Sequence, residues 1–121
     1  MDMTTSSRNV GDIAIVDISG RIVLGEESAA LRTLISDLLS KGQKKILLNL
    51  GDVTYIDSSG LGQLVSTFTT VRKQNGELKL FNLNNKVHDV LQITKLYTVF
   101  DISNDEATAV KSFSHSTAAS V

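Results

Sequence analysis

The chain has 121 residues, of which 41% are apolar and 21% charged, and a formal net charge of −1, the make-up of one ordinary globular domain that buries roughly two-thirds of its extended surface. Its 12 basic and 13 acidic residues are spread along the sequence, so there is no basic stripe for nucleic acid and no apolar run near the roughly 20 residues of a membrane span. Cysteine is absent and the only histidines are His88 and His115, which excludes disulfides and thiolate chemistry and narrows metal and acid–base sites.

The first residues, "MDMTTSSR", are polar and carry no signal-peptide core, so a cytoplasmic protein is expected. Thr4 to Asn9 reads as a short strand, turning near Val10-Gly11-Asp12 into "DIAIVDISGRIVL", an Ile/Val-rich strand with Gly20 as its bulge or bend. Gly25 breaks that pattern. Leu31, Leu34, Ile35 and Leu38 then follow the i, i+3, i+4, i+7 spacing of an amphipathic helix, with Glu26 and Glu27 in its first turn and Lys41-Gly42 at its end.

"KKILLNL" is a short, nearly continuous apolar strand suited to a covered sheet. Leu61, Leu64, Val65, Phe68 and Val71 form a second helical stripe, closed by Arg72, Lys73 and Gly76. "ELKLFNL" alternates as a strand, and Asn84 or Asn85 can cap a short helix carrying Val87, Val90 and Leu91. "YTVFDI" predicts one more strand. Ser103 and Glu106 have capping-box spacing ahead of a last helix with Val110 and Phe113. The pattern is that of one α/β domain: parallel strands joined by helices, plus an antiparallel N-terminal hairpin.

Between the third strand and the second helix lies "YIDSSGLGQLV", residues 55–65. A helix start leaves backbone N–H groups without partners, and Asp57, Ser58 or Ser59 could each cap them for ~1 kcal/mol. Gly60 and Gly62 would let the helix approach the sheet closely. Yet one cap suffices where three are offered, and each glycine weakens the first turn by roughly 0.5–1 kcal/mol relative to alanine. A hydroxyl at this position has a second use. Once phosphorylated it would add about −1.5 to −2 charge at the positive end of the helix dipole, where the fold tolerates it and a docked partner does not.

Catalytic readings fit less well. A nucleophile elbow lacks its first glycine, because Ile56-Asp57 precedes Ser58. No glycine is followed by the Lys-Ser or Lys-Thr of a phosphate-binding loop, and metal-ligand clusters are missing from the sequence. An aspartyl-phosphate receiver centred on Asp57 would need further carboxylates at an earlier strand end, and only the mid-strand Asp17 is offered. The expectation is a non-catalytic protein without a cofactor.

The stretch from Val10 to Phe113 resembles the STAS domain, the family of bacterial anti-sigma factor antagonists, most specifically in "V-x-x-I-D-S-S-G-L-G" from Val53 to Gly62 and in "L-x-I-T-K-L-x-x-V-F" from Leu91 to Phe100. The resemblance implies an α/β domain over residues 1–113, with a mixed sheet of about four to five strands flanked by four helices, while the small, polar residues of 114–121 predict a flexible tail. It also implies partner switching. The unphosphorylated antagonist binds an anti-sigma factor that is also a serine kinase; phosphorylation ends the binding, and a PP2C-type, metal-dependent phosphatase reverses it.

Carried onto this sequence, the phosphoacceptor is Ser58. Asp57, Ser59, Gly60 and Gly62 shape its loop, and Gly25, Glu26, Glu27 and Ser28 form part of the partner surface. The chain departs from the family pattern twice: Val23 stands about where an aspartate often follows the early strand, and Asn49-Leu50 replaces a common Asp-Leu. Some STAS proteins keep the fold without the switch, so the alternative is an unphosphorylated scaffold or accessory subunit of a stress-signalling or lipid-transport complex.

Overall fold

In a computed structural model, the structure describes residues 3–23 and 26–119, with the side chains of 26–28 and 114–119 outside that description. The elements run β1 (Met3–Val10), β2 (Ile13–Ile22), α1 (Glu26–Ser40), β3 (Lys45–Ile56), α2 (Ser58–Lys73), β4 (Glu77–Phe81), α3 (Asn85–Ile93), a 3-10 turn (Leu96–Thr98), β5 (Asp101–Ser103) and α4 (Glu106–Ala119). The five strands lie in one sheet in the order β1-β2-β3-β4-β5. β1 pairs antiparallel with β2, and every later pair is parallel.

The hairpin is closed by Gly11-Asp12, since Val10 pairs with Ile13. Gly11 has φ +61°, as a two-residue loop with glycine first requires. From β2 onward each strand is laid beside its predecessor in sequence order. Right-handed crossovers in an order that never reverses place their helices on one face. α1, α2 and α3 accordingly share a core with Ala14, Val16, Ile18, Ile46, Leu48 and Leu80. The opposite face is left to α4, whose Ala109 and Phe113 pack on Ile13, Ile15, Leu47 and Phe81 in a second, smaller cluster.

β3 is longer than "KKILLNL" and reaches Ile56. Its inward residues step by two from Ile46 to Leu50, then by three to Val53 and by three again to Ile56. The ladder with β2 shifts register at the same places, between Asp17 and Ser19 and between Gly20 and Arg21, with the extra residues on β3. The bulge expected at Gly20 therefore belongs to the neighbouring strand, although Gly20 itself bends with φ +97°. Two such breaks hide a strand from a period-two reading.

Helix ends follow the expected chemistry with two exchanges of residue. α1 ends at Gly42, φ +85°, with Gln43 N–H donating to Leu38 C=O at 2.9 Å and Gly42 N–H to Leu39 C=O at 3.0 Å, the paired bonds of a Schellman end. At the end of α2 the left-handed residue is Asn75, φ +64°, not Gly76. Gly76 serves close packing instead, since a Cβ there would lie 2.8 Å from Lys44 O and from Val71 Cγ1. α4 is capped by Asp105, whose carboxylate accepts from Thr108 N–H at 2.8 Å, rather than by the Ser103/Glu106 box. Glu106 is engaged elsewhere, with Arg8 Nη2 at 2.6 Å.

"YTVFDI" is only partly strand. Leu96–Thr98 forms the 3-10 turn entered through Lys95 at φ +62°, and β5 keeps Asp101–Ser103. Phe113, the end of the expected domain, is fully buried, and the α4 backbone continues to Ala119.

Candidate functional site

The corner between β3 and α2 is built by three residues with separate tasks. Ile56, 5% exposed, ends the strand in the larger core. Asp57 is extended, φ −101° and ψ −178°, and its carboxylate accepts from Gly60 N–H at 2.7 Å. Its own carbonyl accepts the first helical bond, from Leu61 N–H at 2.8 Å. Asp57 is thus the N-cap, and neither serine is needed for it. Gly60 is buried against the end of β2, where a Cβ would collide with the Ile22 carbonyl, 2.7 Å from its carbon. Gly62 differs: it is exposed, and a Cβ there meets nothing within 4 Å.

Ser58 and Ser59 occupy the first turn of α2, and both are exposed. Their hydroxyls therefore sit at the positive end of a 16-residue helix, on the solvent side of a turn that is already capped. The sequence-predicted loop residues Asp57, Ser58, Ser59 and Gly60 come together here, while Gly62 lies outside the packed corner. Gly25 falls outside the described residues. Glu26, Glu27 and Ser28 open α1, and their side chains lie outside the description as well.

Sequence reasoning missed what surrounds the corner. Arg21 pairs with Tyr55 across β2 and β3, and its guanidinium lies 5.2 Å from the centre of the Tyr55 ring. Tyr55 is 44% exposed. On α2, the side chain of Gln63 is buried against α1, its carbonyl accepting from Arg32 Nη2 at 3.1 Å. An apolar-to-polar period count has no means of finding either contact.

The sheet face left open beyond α4 carries a polar network. Arg8 on β1 pairs with Asp17 at 2.8 Å and with Glu106 of α4 at 2.6 Å. These bonds hold both carboxylates below their usual pKa range, chiefly through hydrogen bonding to Arg8. Asn49 Nδ2 donates to Asp17 at 2.8 Å, while its carbonyl accepts from Gly51 N–H and from Asn82 Nδ2, each at 3.1 Å. Asn49 must donate and accept at once, which an aspartate cannot do when ionised.

His88 is exposed on α3, with Asp89 3.7 Å away, and lines a shallow cleft with Leu83, Leu91 and Tyr97. Among the described residues no cluster of His, Asp or Glu could hold a metal ion, and no helix is long and apolar enough to cross a membrane.

Residues 5–109 match the STAS domain family. The chain is 40% identical over 96 residues to the anti-sigma-B factor antagonist of Bacillus subtilis, covering 79% of this chain and 85% of the relative. It is 33% identical over 88 residues to the anti-sigma-B factor antagonist of Listeria monocytogenes, covering 69% and 77%. The structure of the Bacillus cell-fate determinant SpoIIAA in its phosphorylated form superimposes with a TM-score of 0.69 over 91% of this chain and 99% of the other, at 19% identity. At that identity the superposition shows a shared fold.

Proposed function

As this chain belongs to the STAS domain family, we propose that it is an anti-sigma factor antagonist working by partner switching, with Ser58 as the switch. Unmodified, the corner docks on an anti-sigma factor that is also a serine kinase. Phosphorylation of Ser58 by that kinase, with ATP, ends the docking, and a PP2C-type phosphatase restores it. The chain is the substrate in this cycle and needs no cofactor of its own. ATP and metal belong to its partners.

One observation carries the reading: Asp57 alone caps α2, so the exposed Ser58 hydroxyl has no structural task at the corner. A phosphate placed there meets the first-turn N–H groups of the helix and is tolerated by its own fold. The partner instead faces about two additional negative charges where it previously met a neutral hydroxyl. Binding changes, and folding does not. The two curated relatives named above, both anti-sigma-B factor antagonists, support the same partner class.

The test uses each purified anti-sigma factor of the source organism with wild type, Ser58→Ala and Ser58→Asp. The expected result is tight binding of wild type and alanine to one of them, loss with aspartate, and transfer of one phosphate from ATP to wild type but not to alanine. Equal binding of all three variants, with no phosphate transfer, would sink the switch and leave an unphosphorylated scaffold.

A further inference from the structure

Ser58 and Ser59 are neighbours in sequence but not in direction. A helix turns by about 100° per residue, so Ser59 stands about 40° round α2 from Gln63, whereas Ser58 stands about 140° from it. One turn on from Ser58 is Gly62, where a side chain would meet open space. One turn on from Ser59 is Gln63, which is buried and bonded to α1.

Gln63 carries a donor with nothing to donate to. Its carbonyl accepts from Arg32 Nη2 of α1 at 3.1 Å, which fixes the orientation of the amide. Its Nε2 is buried and has no hydrogen-bond partner among the described residues. A leucine would fill the position without the cost of an unpaired buried donor. Helix side chains lean toward the N-terminus, so the amide lies over the turn that carries Ser59. Arg32 is exposed, and among the described residues it pairs with no carboxylate. A guanidinium without an acid and an amide without an acceptor thus stand one turn from an exposed hydroxyl.

We infer that Ser59 is a second phosphoacceptor, modified independently of Ser58, whose phosphate is clamped in cis by Arg32 and Gln63. The inference goes beyond the Ser58 switch and does not rest on it. A phosphate brings three acceptor oxygens and about −1.5 to −2 charge. Gln63 Nε2 and the Arg32 guanidinium donate to it across the ordinary spacing of an i,i+4 pair. The N–H groups of Ser58 and Ser59 precede the first helical bond, from Leu61 N–H to the Asp57 carbonyl, and favour the same charge. Asp57 opposes it, but that carboxylate is held by Gly60 N–H. The phosphate donor is ATP. The Ser59 oxygen bonds to the γ-phosphorus as the bond to the β–γ bridging oxygen breaks. ADP leaves, and the hydroxyl proton passes to a base of the kinase. That enzyme is a serine kinase other than the docked one, because a site aligned on Ser58 faces about 100° away from Ser59.

The experiment has two arms. In the first, the chain is purified from growing, stationary and salt-stressed cells of the source organism, as wild type and as Ser58→Ala, and its phosphopeptides are mapped by mass spectrometry. Phosphate on Ser59 of the Ser58→Ala chain is expected. Its absence under every condition overturns the inference, and the wild-type spectra report Ser58 separately. In the second arm, phosphoserine is genetically encoded at position 59 or 58 and titrated by phosphorus NMR, with and without Arg32→Gln. At position 59 the second phosphate pKa should lie roughly half a unit or more lower with Arg32 than with Arg32→Gln. At position 58 the two values should agree. Asp57 is common to both chains, so the difference isolates the guanidinium. Arg32 is exposed, so the variant is expected to fold, which thermal unfolding checks. Equal values at position 59 with and without Arg32 overturn the clamp, and the inference with it, while the Ser58 switch stands.

Discussion

At Gly60 and Gly62 the same residue type does unlike work, and substitution separates them. Gly60→Ala drives a methyl group into the Ile22 carbonyl and should cost about 3 kcal/mol or more, or prevent folding, as overpacking against backbone does. Gly62→Ala meets open space and should be neutral or stabilising by up to about 1 kcal/mol through helix propensity. Urea unfolding of the two variants checks both. The "S-S-G-L-G" string shows the glycines but not which one touches the sheet, since that depends on where β2 ends. Asn49 teaches a related lesson. Read from sequence it is a departure from Asp-Leu, whereas in the fold it is the donor that Asp17 requires. Asn49→Asp would set two carboxylates against each other, so we expect a loss of about 1–2 kcal/mol at neutral pH that shrinks on acidification as one of them takes up a proton.

Helices were more legible than strands, for a geometric reason. The stripes Leu31, Leu34, Ile35, Leu38 and Leu61, Leu64, Val65, Phe68, Val71 all face the core as the 3.6-residue period predicts, with Leu34, Val65 and Phe68 only partly buried at its edge. β3 interrupts its own period twice, so its second half looked like part of the corner. The clamp between β1 and α4 was invisible because Arg8 and Glu106 are 98 positions apart in sequence. Asp17 and Glu106 both have lowered pKa values in the folded chain, so their pairing with Arg8 contributes fully above about pH 5 and fades as pH falls below about 4. All three side chains are partly exposed, and the clamp is worth at most about 1 kcal/mol per pair. Arg8→Ala should therefore lower stability by about 1–2 kcal/mol at pH 7 and narrow the gap to wild type near pH 3, as measured by thermal unfolding across pH.

At the scale of the whole molecule, strand order decides which surface is free for work. α1, α2 and α3 fill one side, and α4 covers only part of the other. At the end of the sheet near the α2 corner, Arg21, Tyr55, Ser58 and Ser59 are exposed. The fold class and the helix stripes could be read from sequence because they rest on local periodicity, and the position of Ser58 at the start of the second helix because it rests on a local motif. The Arg21–Tyr55 stack beside the corner could not, because it forms only where β2 and β3 pair. Phe113 gives this scale its own test. It is fully buried in the smaller cluster, so Phe113→Ala should cost about 3–5 kcal/mol. Near-ultraviolet circular dichroism and hydrogen exchange should locate the loosening in α4 and β5 while the corner at Asp57 stays protected.

That smaller cluster also fixes an order of events during synthesis. Its receiving surface, Ile13, Ile15, Leu47 and Phe81, is synthesised before the helix that covers it. A nascent chain stopped at β5 would carry a bare apolar strip beside strands that are already paired. Such a strip is what chaperones and proteases recognise, so premature termination or a frameshift late in the message should yield a product that is cleared rather than one that competes for the partner.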